Sequence, residues 1–175
     1  MPESKPITQT TPPAVTLRRA ALSDVPELAQ LGSQLFRQHY AYDAQRFFIA
    51  EPLVNHHAQF FAEQLRNEAA IILVAEIENR LVGYAFVRLE AESFVDASAA
   101  CAWLHDIYVD AGARGDKLGK RLMQAAIEAA HELGSSCLML SVSPHNAVAQ
   151  TFFRQQGFRP TMVEMRLDFA SPDNP

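Results

Sequence analysis

The sequence predicts a mixed α/β (α+β) domain, with helices flanking a largely antiparallel sheet, and three observations carry the prediction. Apolar residues recur at three- and four-residue spacing in two N-terminal segments and again after residue 117. Short strand-like runs separated by polar turns fill the middle of the chain. One strand, helix, strand succession requires a crossover, so its two strands should pair in parallel within the otherwise antiparallel sheet.

Val15 to Arg19 is a short β-prone run, and Ser23 offers an N-cap oxygen with Asp24 and Glu27 where negative charge suits a helix start. Val25, Leu28, Leu31, Leu35 and Phe36 then mark a helix over about Asp24 to Gln38, with a loop from Tyr40 to Glu51. Pro52 opens a second helix supported by Leu53, His56, Phe60 and Leu65. Ile71 to Ile77 and Leu81 to Leu89 form a hairpin about Glu78, Asn79 and Arg80, followed by a loop from Glu90 to Ala100.

In the next strand Cys101, Trp103, His105, Ile107 and Val109 alternate with Ala102, Leu104, Asp106 and Tyr108, which sets the two groups on opposite faces. Leu118, Leu122, Ala126, Ala129 and Leu133 mark an amphipathic helix, with Gly134 at the left-handed C-cap position. Cys137 to Val142 reads as a buried strand, Asn146 to Gln156 as a short helix closed by Gly157, and Met162 to Phe169 as a final strand.

A chain of 175 residues is the size of one domain, here 14–170 between tails at 1–13 and 171–175. A net charge of -5 with scattered Lys and Arg argues against nucleic-acid binding and mildly favours a cationic substrate. Cys101 and Cys137 each begin an apolar run and read as buried, reduced thiols in preference to catalytic or metal-binding residues. The N-terminal residues contain no apolar signal core, and no stretch is long enough to span a bilayer, so a cytoplasmic protein without membrane partners is expected.

The chemistry concentrates in Arg114-Gly115-Asp116-Lys117-Leu118-Gly119-Lys120, between the strand ending at Val109 and the long helix. Amides at a helix start lack intrahelical acceptors, and the dipole and basic side chains add positive potential, so a pyrophosphate suits the segment. Taken alone it reads equally well as a basic, solvated loop.

Together with its surroundings, the segment resembles the GNAT superfamily of N-acetyltransferases. That signature places Arg or Gln, two residues, Gly, one residue and Gly or Ala after a strand ending in Val, matched here by Val109, Arg114 and Gly119. Asn146, Ala149, Phe152 and Gly157-Phe158 match a second motif of the superfamily. The resemblance covers roughly Leu104 to Arg159 and implies a mixed sheet whose splayed parallel strand pair forms a CoA cleft. It implies that Ile107, Tyr108 and Val109 bond the pantetheine arm of acetyl-CoA through the main chain, like an added strand. Arg114, Gly115, Asp116, Lys117, Leu118, Gly119 and Lys120 would hold the pyrophosphate, while Asn146, Ala149 and Phe153 would line the pantetheine and cysteamine end.

Two residues depart from the pattern. Lys117 stands where the signature usually has glycine, and a residue there in helical φ/ψ would leave its amide available. Phe153 stands where many relatives have a tyrosine that protonates the departing thiolate, and Phe cannot do so.

The Leu104-His105-Asp106 segment resembles Leu-Glu-Asp in the polyamine acetyltransferase branch, where the glutamate acts as a base, so His105 is the leading base candidate. A strand histidine serves a structural role equally well. Asp106 is the second candidate and Tyr108 a candidate acid, both expected on the face opposite His105. His39, Tyr40, Tyr42 and Asp43 lie where the superfamily has its variable acceptor-binding loop, and an acidic, aromatic wall suits an amine.

The expected function is direct acetyl transfer from acetyl-CoA to the primary amine of a small molecule such as a polyamine, amino acid or aminoglycoside, without a metal. Acetylation of a protein N-terminus or lysine, or CoA binding without catalysis, are the alternatives. A nucleotide-dependent enzyme fits less well, because the loop has neither a Walker A ending nor dinucleotide glycine spacing. A homodimer is expected from the superfamily alone.

Overall fold

The computed structural model describes residues 14–48, 51–93, 99–115 and 117–169. They fall into two compact units, one ending at Ser143 and the other beginning at Pro144.

The first unit contains β1 (Thr16–Arg19), α1 (Val25–Tyr42), α2 (Leu53–Gln64), β2 (Ala70–Ile77), β3 (Arg80–Glu90), β4 (Cys101–Val109), α3 (Leu118–Glu132) and β5 (Leu138–Met139). Its sheet has the order β1-β2-β3-β4-β5. The first three pairings are antiparallel and β4–β5 is parallel, as the crossover through α3 requires. Glu78 and Asn79, both at positive φ, close the β2–β3 hairpin with the twist that flanking strands favour.

Alternation along β3 divides the core between two faces. Tyr84 and Phe86 project with Ile72 and Val74 into a cluster with Leu28, Leu31 and Leu35 of α1 and Phe61 of α2. On the other face α3 packs through Leu122, and a Cβ on Gly83 would lie 3.2 Å from the Leu122 side chain and 2.7 Å from the Tyr108 carbonyl oxygen. Gly83 therefore lets the end of β4 and the long helix approach β3 closely. Gly32 does the same between α1 and α2, where an added Cβ would meet His57 and Phe61 at 2.8 Å.

Several boundaries differ from the sequence expectation. Ser23 does not cap α1; it sits in a 3-10 turn, Leu22–Asp24, and Asp24 precedes the helix. The Asp24 carboxylate accepts from the Ala21 amide at 2.7 Å and from both terminal nitrogens of Arg18, at 2.7 and 2.9 Å. Arg18 also donates to Glu76 at 2.6 Å, so one guanidinium clamps β1 to the 3-10 turn and to β2. α1 runs on to Tyr42, which makes His39, Tyr40 and Tyr42 helical rather than loop residues. The strand expected over Cys137 to Val142 contracts to Leu138–Met139.

The cysteines are not separate thiols. Cys101 and Cys137 form a disulfide between the start of β4 and the residue before β5, with Cα atoms 5.8 Å apart. A sequence separation of 36 conceals a proximity that only the parallel pairing creates.

In the second unit α4 (Ala147–Gln155) ends at Gly157, whose φ of +93° suits glycine. Met162 to Phe169 forms no strand. Its alternation meets one requirement of a strand, whereas the other is a neighbouring backbone ladder.

The Arg18 clamp yields a pH-dependent prediction. Hydrogen bonding from Arg18 holds the Asp24 carboxyl below the usual carboxylate range, outweighing the upward push of burial. Its contribution is therefore present above the unfolded pKa of about 4 and is lost as pH falls through the folded value. Asp24→Asn should lower the unfolding free energy by about 1–3 kcal/mol at pH 7, with a smaller difference at pH ~3. Urea denaturation at both pH values checks this, and a gap that does not narrow in acid would contradict it.

Candidate active site

β4 does not keep strict alternation. Asp106 pairs with Phe86, but the next β3 residue, Val87, pairs with Leu104, so His105 is the extra residue of a β-bulge. A bulge leaves one residue outside the ladder and re-aims its side chain. The His105 ring stacks on Phe86 with centroids 5.1 Å apart and on Trp103 at 6.4 Å. Phe86 shares its face with Tyr84, and these two pair with Asp106 and Tyr108. His105, Asp106 and Tyr108 therefore lie on the α1/α2 side of the sheet, correcting the expectation that His105 faces away from the other two.

The polar groups on this face are tightly connected. His105 Nε2 lies 2.7 Å from Glu90 Oε1, and since a carboxylate only accepts, Nε2 carries the hydrogen. Glu90 Oε1 also accepts from Arg88 at 2.7 Å. Burial pushes the Glu90 carboxyl up, but the bonds from Arg88 and His105 outweigh it and hold the group below its ordinary range. Tyr84 donates to Asp106 at 3.0 Å. Burial raises the Asp106 carboxyl, and the Tyr84 bond and nearby His39, His105 and His57 only partly oppose that rise. Tyr84, fully buried beside this carboxylate, is pushed far up by burial and by the negative charge.

Tyr108 donates to Gln34 Oε1 of α1 at 2.9 Å. Burial and then the Asp110 carboxylate raise its phenol, with Arg114 pulling the other way. Burial lowers the His39 imidazole, opposed by Asp106. His57 Nδ1, 2.9 Å from the Leu53 carbonyl oxygen, is committed to that acceptor.

Of the residues expected at the acceptor loop, His39 alone joins this electrostatic cluster among the described residues. Its ring stacks on Phe47 at 5.5 Å. Tyr42 accepts from Gln38, and Asp43 accepts from the Gln45 and Arg46 amides at 3.1 Å, a turn-forming role. Tyr40 is exposed on the helix.

β5 pairs only with Ala102 and Trp103, so from Leu104 to Val109 that edge of β4 has no strand partner among the described residues. The opposite end is held shut. Besides the disulfide, Ser135 Oγ accepts from the Ala102 amide and donates to the Cys137 carbonyl, both at 2.8 Å. The result is a parallel pair pinned at one end with an open backbone edge beyond, which includes Ile107, Tyr108 and Val109.

The open edge leads into the helix N-terminus. Asp110 accepts from Gly112 in the 3-10 turn Ala111–Ala113, and Arg114 Nε donates to the Val109 carbonyl at 3.1 Å. The first α3 turn is closed by the Arg121 amide on the Lys117 carbonyl at 3.0 Å. The amides of Leu118, Gly119 and Lys120 precede that bond and lack intrahelical acceptors. Gly115 has φ +119°, while Asp116 lies outside the described residues. Lys117 is in the left-handed region at φ +58°, ψ +16°, not the right-handed helical conformation expected. That geometry explains why glycine suits the position, since a side chain there costs about 1–2 kcal/mol.

In the second unit Asn146 caps α4, its Oδ1 accepting from the Ala149 amide at 3.0 Å. This gives the motif's Asn a structural role at the start of the helix. Phe153 is buried against Phe152 and Phe158 and carries no hydroxyl.

Sequence reasoning missed Glu90, assigned to a loop, and Tyr84, Gln34 and His57. Their proximity to β4 depends on register and helix placement, although a carboxylate at the end of the hairpin's second strand was a usable hint. Among the described residues no group of three or more His, Cys, Asp or Glu is arranged to hold a metal ion, and no helix is long and apolar enough to cross a membrane.

Residues 32–158 match the model of the acetyltransferase (GNAT) family. The chain is 29% identical over 144 residues to YhfO of Bacillus subtilis, described as an uncharacterized N-acetyltransferase, with 82% of this chain and 89% of that protein covered. A mutant of the BH1408 protein from Bacillus halodurans has the same fold, with a TM-score of 0.77 at 23% identity over 89% of this chain and 99% of that one. So does the aminoglycoside N-acetyltransferase AAC(6')-Iy in complex with CoA, with a TM-score of 0.72 at 17% identity over 95% and 99% of the two chains. With the family model spanning well over half of its length, this chain belongs to the acetyltransferase (GNAT) family.

Proposed function

We propose that this acetyltransferase moves an acetyl group from acetyl-CoA to the primary amine of a small molecule by direct attack, with His105 as the base. The bulge carries this reading, because it sets an imidazole beside Asp106 and Tyr108 next to an open strand edge that runs toward a helix N-terminus. In this account the Leu104 to Val109 edge hydrogen-bonds the pantetheine arm, chiefly through Ile107, Tyr108 and Val109. The amides of Leu118, Gly119 and Lys120, with Gly115, Arg114 and the ammonium groups of Lys117 and Lys120, hold the pyrophosphate. Asn146, Ala149 and Phe153 are assigned to CoA by the motif alone.

An amine reaching the α1/α2 face meets two carboxylates, Glu90 and Asp106, and the aromatic rings of Phe86 and Trp103. Negative charge and ring faces suit a cation. His105 Nδ1 takes the proton that makes the amine nucleophilic, directly or through one water. Tyr108, whose phenol stays protonated at neutral pH, supplies an O–H for the departing thiolate, a task Phe153 cannot perform. An aminoglycoside N-acetyltransferase bound to a CoA-linked acetylneamine analogue shares this fold, so aminoglycosides join polyamines and amino acids in the panel of candidate acceptors.

A thiol-release assay with acetyl-CoA across a panel of such amines tests the reading. Turnover with at least one is expected, whereas CoA binding without turnover on any would overturn it. His105→Ala should lower kcat/KM about 10²–10⁴-fold, with the greater loss at low pH where the amine is almost wholly protonated. A loss equal at all pH values would remove His105 as the base.

Lys117→Gly should relieve the left-handed backbone and raise stability by about 1 kcal/mol, or about 2–4 °C in melting temperature. CoA affinity, resting mainly on main-chain amides, should stay within about threefold. Calorimetry and thermal denaturation check both, and a tenfold loss of affinity would give the Lys117 ammonium a principal share of the binding.

A further inference from the structure

We propose that Glu90 is a positioning residue for the acetyl-transfer base: held by Arg88, it fixes His105 in the tautomer whose Nδ1 faces the reaction. This inference rests on His105 being the base, as above.

The geometry restrains the ring in two independent ways. Phe86 and Trp103 stack on it at interplanar angles of 26° and 29°, which sets its plane. Glu90 Oε1, 2.7 Å from Nε2, sets its rotation and its proton. Nδ1 has no hydrogen-bond partner among the described residues, so its lone pair is available in the neutral ring. Glu90 is itself immobilised, since Arg88 Nε and Nη2 both lie 2.7 Å from the same oxygen. The chain Arg88, Glu90, His105 thus runs from one strand across to the bulge of the next, ending at the base.

The proton balance is simple. One proton passes from the acceptor ammonium to Nδ1, giving an imidazolium whose Nε2–H remains on Glu90. Glu90 takes no proton; it stabilises the cation and preserves its orientation. Asp106 of β4, which also faces His39 of α1 and His57 of α2, adds negative charge on the same side. Asp106 makes no hydrogen bond to the His105 ring among the described residues, so Glu90 alone selects the tautomer.

The measurements are imidazole 15N NMR and acetyl-transfer kinetics on the full chain, comparing wild type with Glu90→Ala, Glu90→Gln and the pair Glu90→Ala/His105→Ala. Wild-type His105 should show a protonated Nε2 and an unprotonated Nδ1. Glu90→Ala should mix the tautomers and lower kcat about 10²-fold, while Glu90→Gln, which retains an acceptor oxygen, should keep the tautomer and lose about tenfold. The double variant should be no slower than His105→Ala, because Glu90 acts only through that ring.

An unchanged tautomer in Glu90→Ala, or a further rate loss in the double variant, would overturn the positioning role. Failure of the underlying assignment looks different: His105→Ala would then retain wild-type rates whatever the NMR shows for Glu90→Ala. Circular dichroism on each variant establishes that the comparison is between folded proteins.

Discussion

The site depends on a one-residue mismatch between β3 and β4. Eight consecutive residues of β3, Gly83 to Glu90, face nine of β4, so His105 is left out of the ladder, and its exclusion shifts everything N-terminal to it by one position. Beyond the bulge, Asp106 and Tyr108 keep the core-facing register of Phe86 and Tyr84. Before it, Trp103 pairs with Arg88 and so returns to that same side. A regular strand would have sent either His105 or Asp106 into the α3 interface.

The surrounding packing holds this irregularity in place. Tyr84 and Phe86 are both wholly or almost wholly buried, and each has a partner ring from α2, Phe61 and Phe60 respectively, at 5.5 Å. The bulge therefore rests on a rigid aromatic floor, and small displacements of β4 would disturb close-packed rings. At its other end β4 is tied to β5 by the disulfide and Ser135, so the separation of the two strands begins at a fixed point. One face of β4 gathers the titratable side chains of His105, Asp106 and Tyr108 while its free edge offers backbone groups. The two roles do not compete, because side chains and edge hydrogen-bonding groups point in perpendicular directions.

Much of this was legible from residue patterns. Glu78 and Asn79 marked the hairpin, Gly134 and Gly157 marked helix ends, and the spacing from Val109 to Gly119 marked the turn into α3. What escaped were features set by partners distant in sequence. Alternation in Cys101 to Val109 is a property of one strand, whereas the bulge belongs to a pair. Glu90 gains significance only when β3 and β4 are side by side, and Cys101 meets Cys137 only through the parallel pairing. Lys117 illustrates a different limit: its residue type gave no sign of left-handed backbone, although the usual glycine at that point of the motif did.

For His105 to act as the base, the reacting nitrogen must sit beside the bulge. A crystal structure with a bisubstrate adduct joining CoA to an amine accepted in the turnover assay measures that position. The nitrogen should lie about 3 Å from His105 Nδ1, or one water away, with the pantetheine bonded along Leu104 to Val109. A nitrogen on the α3 face of the sheet, or farther from the imidazole than one water spans, would contradict the account.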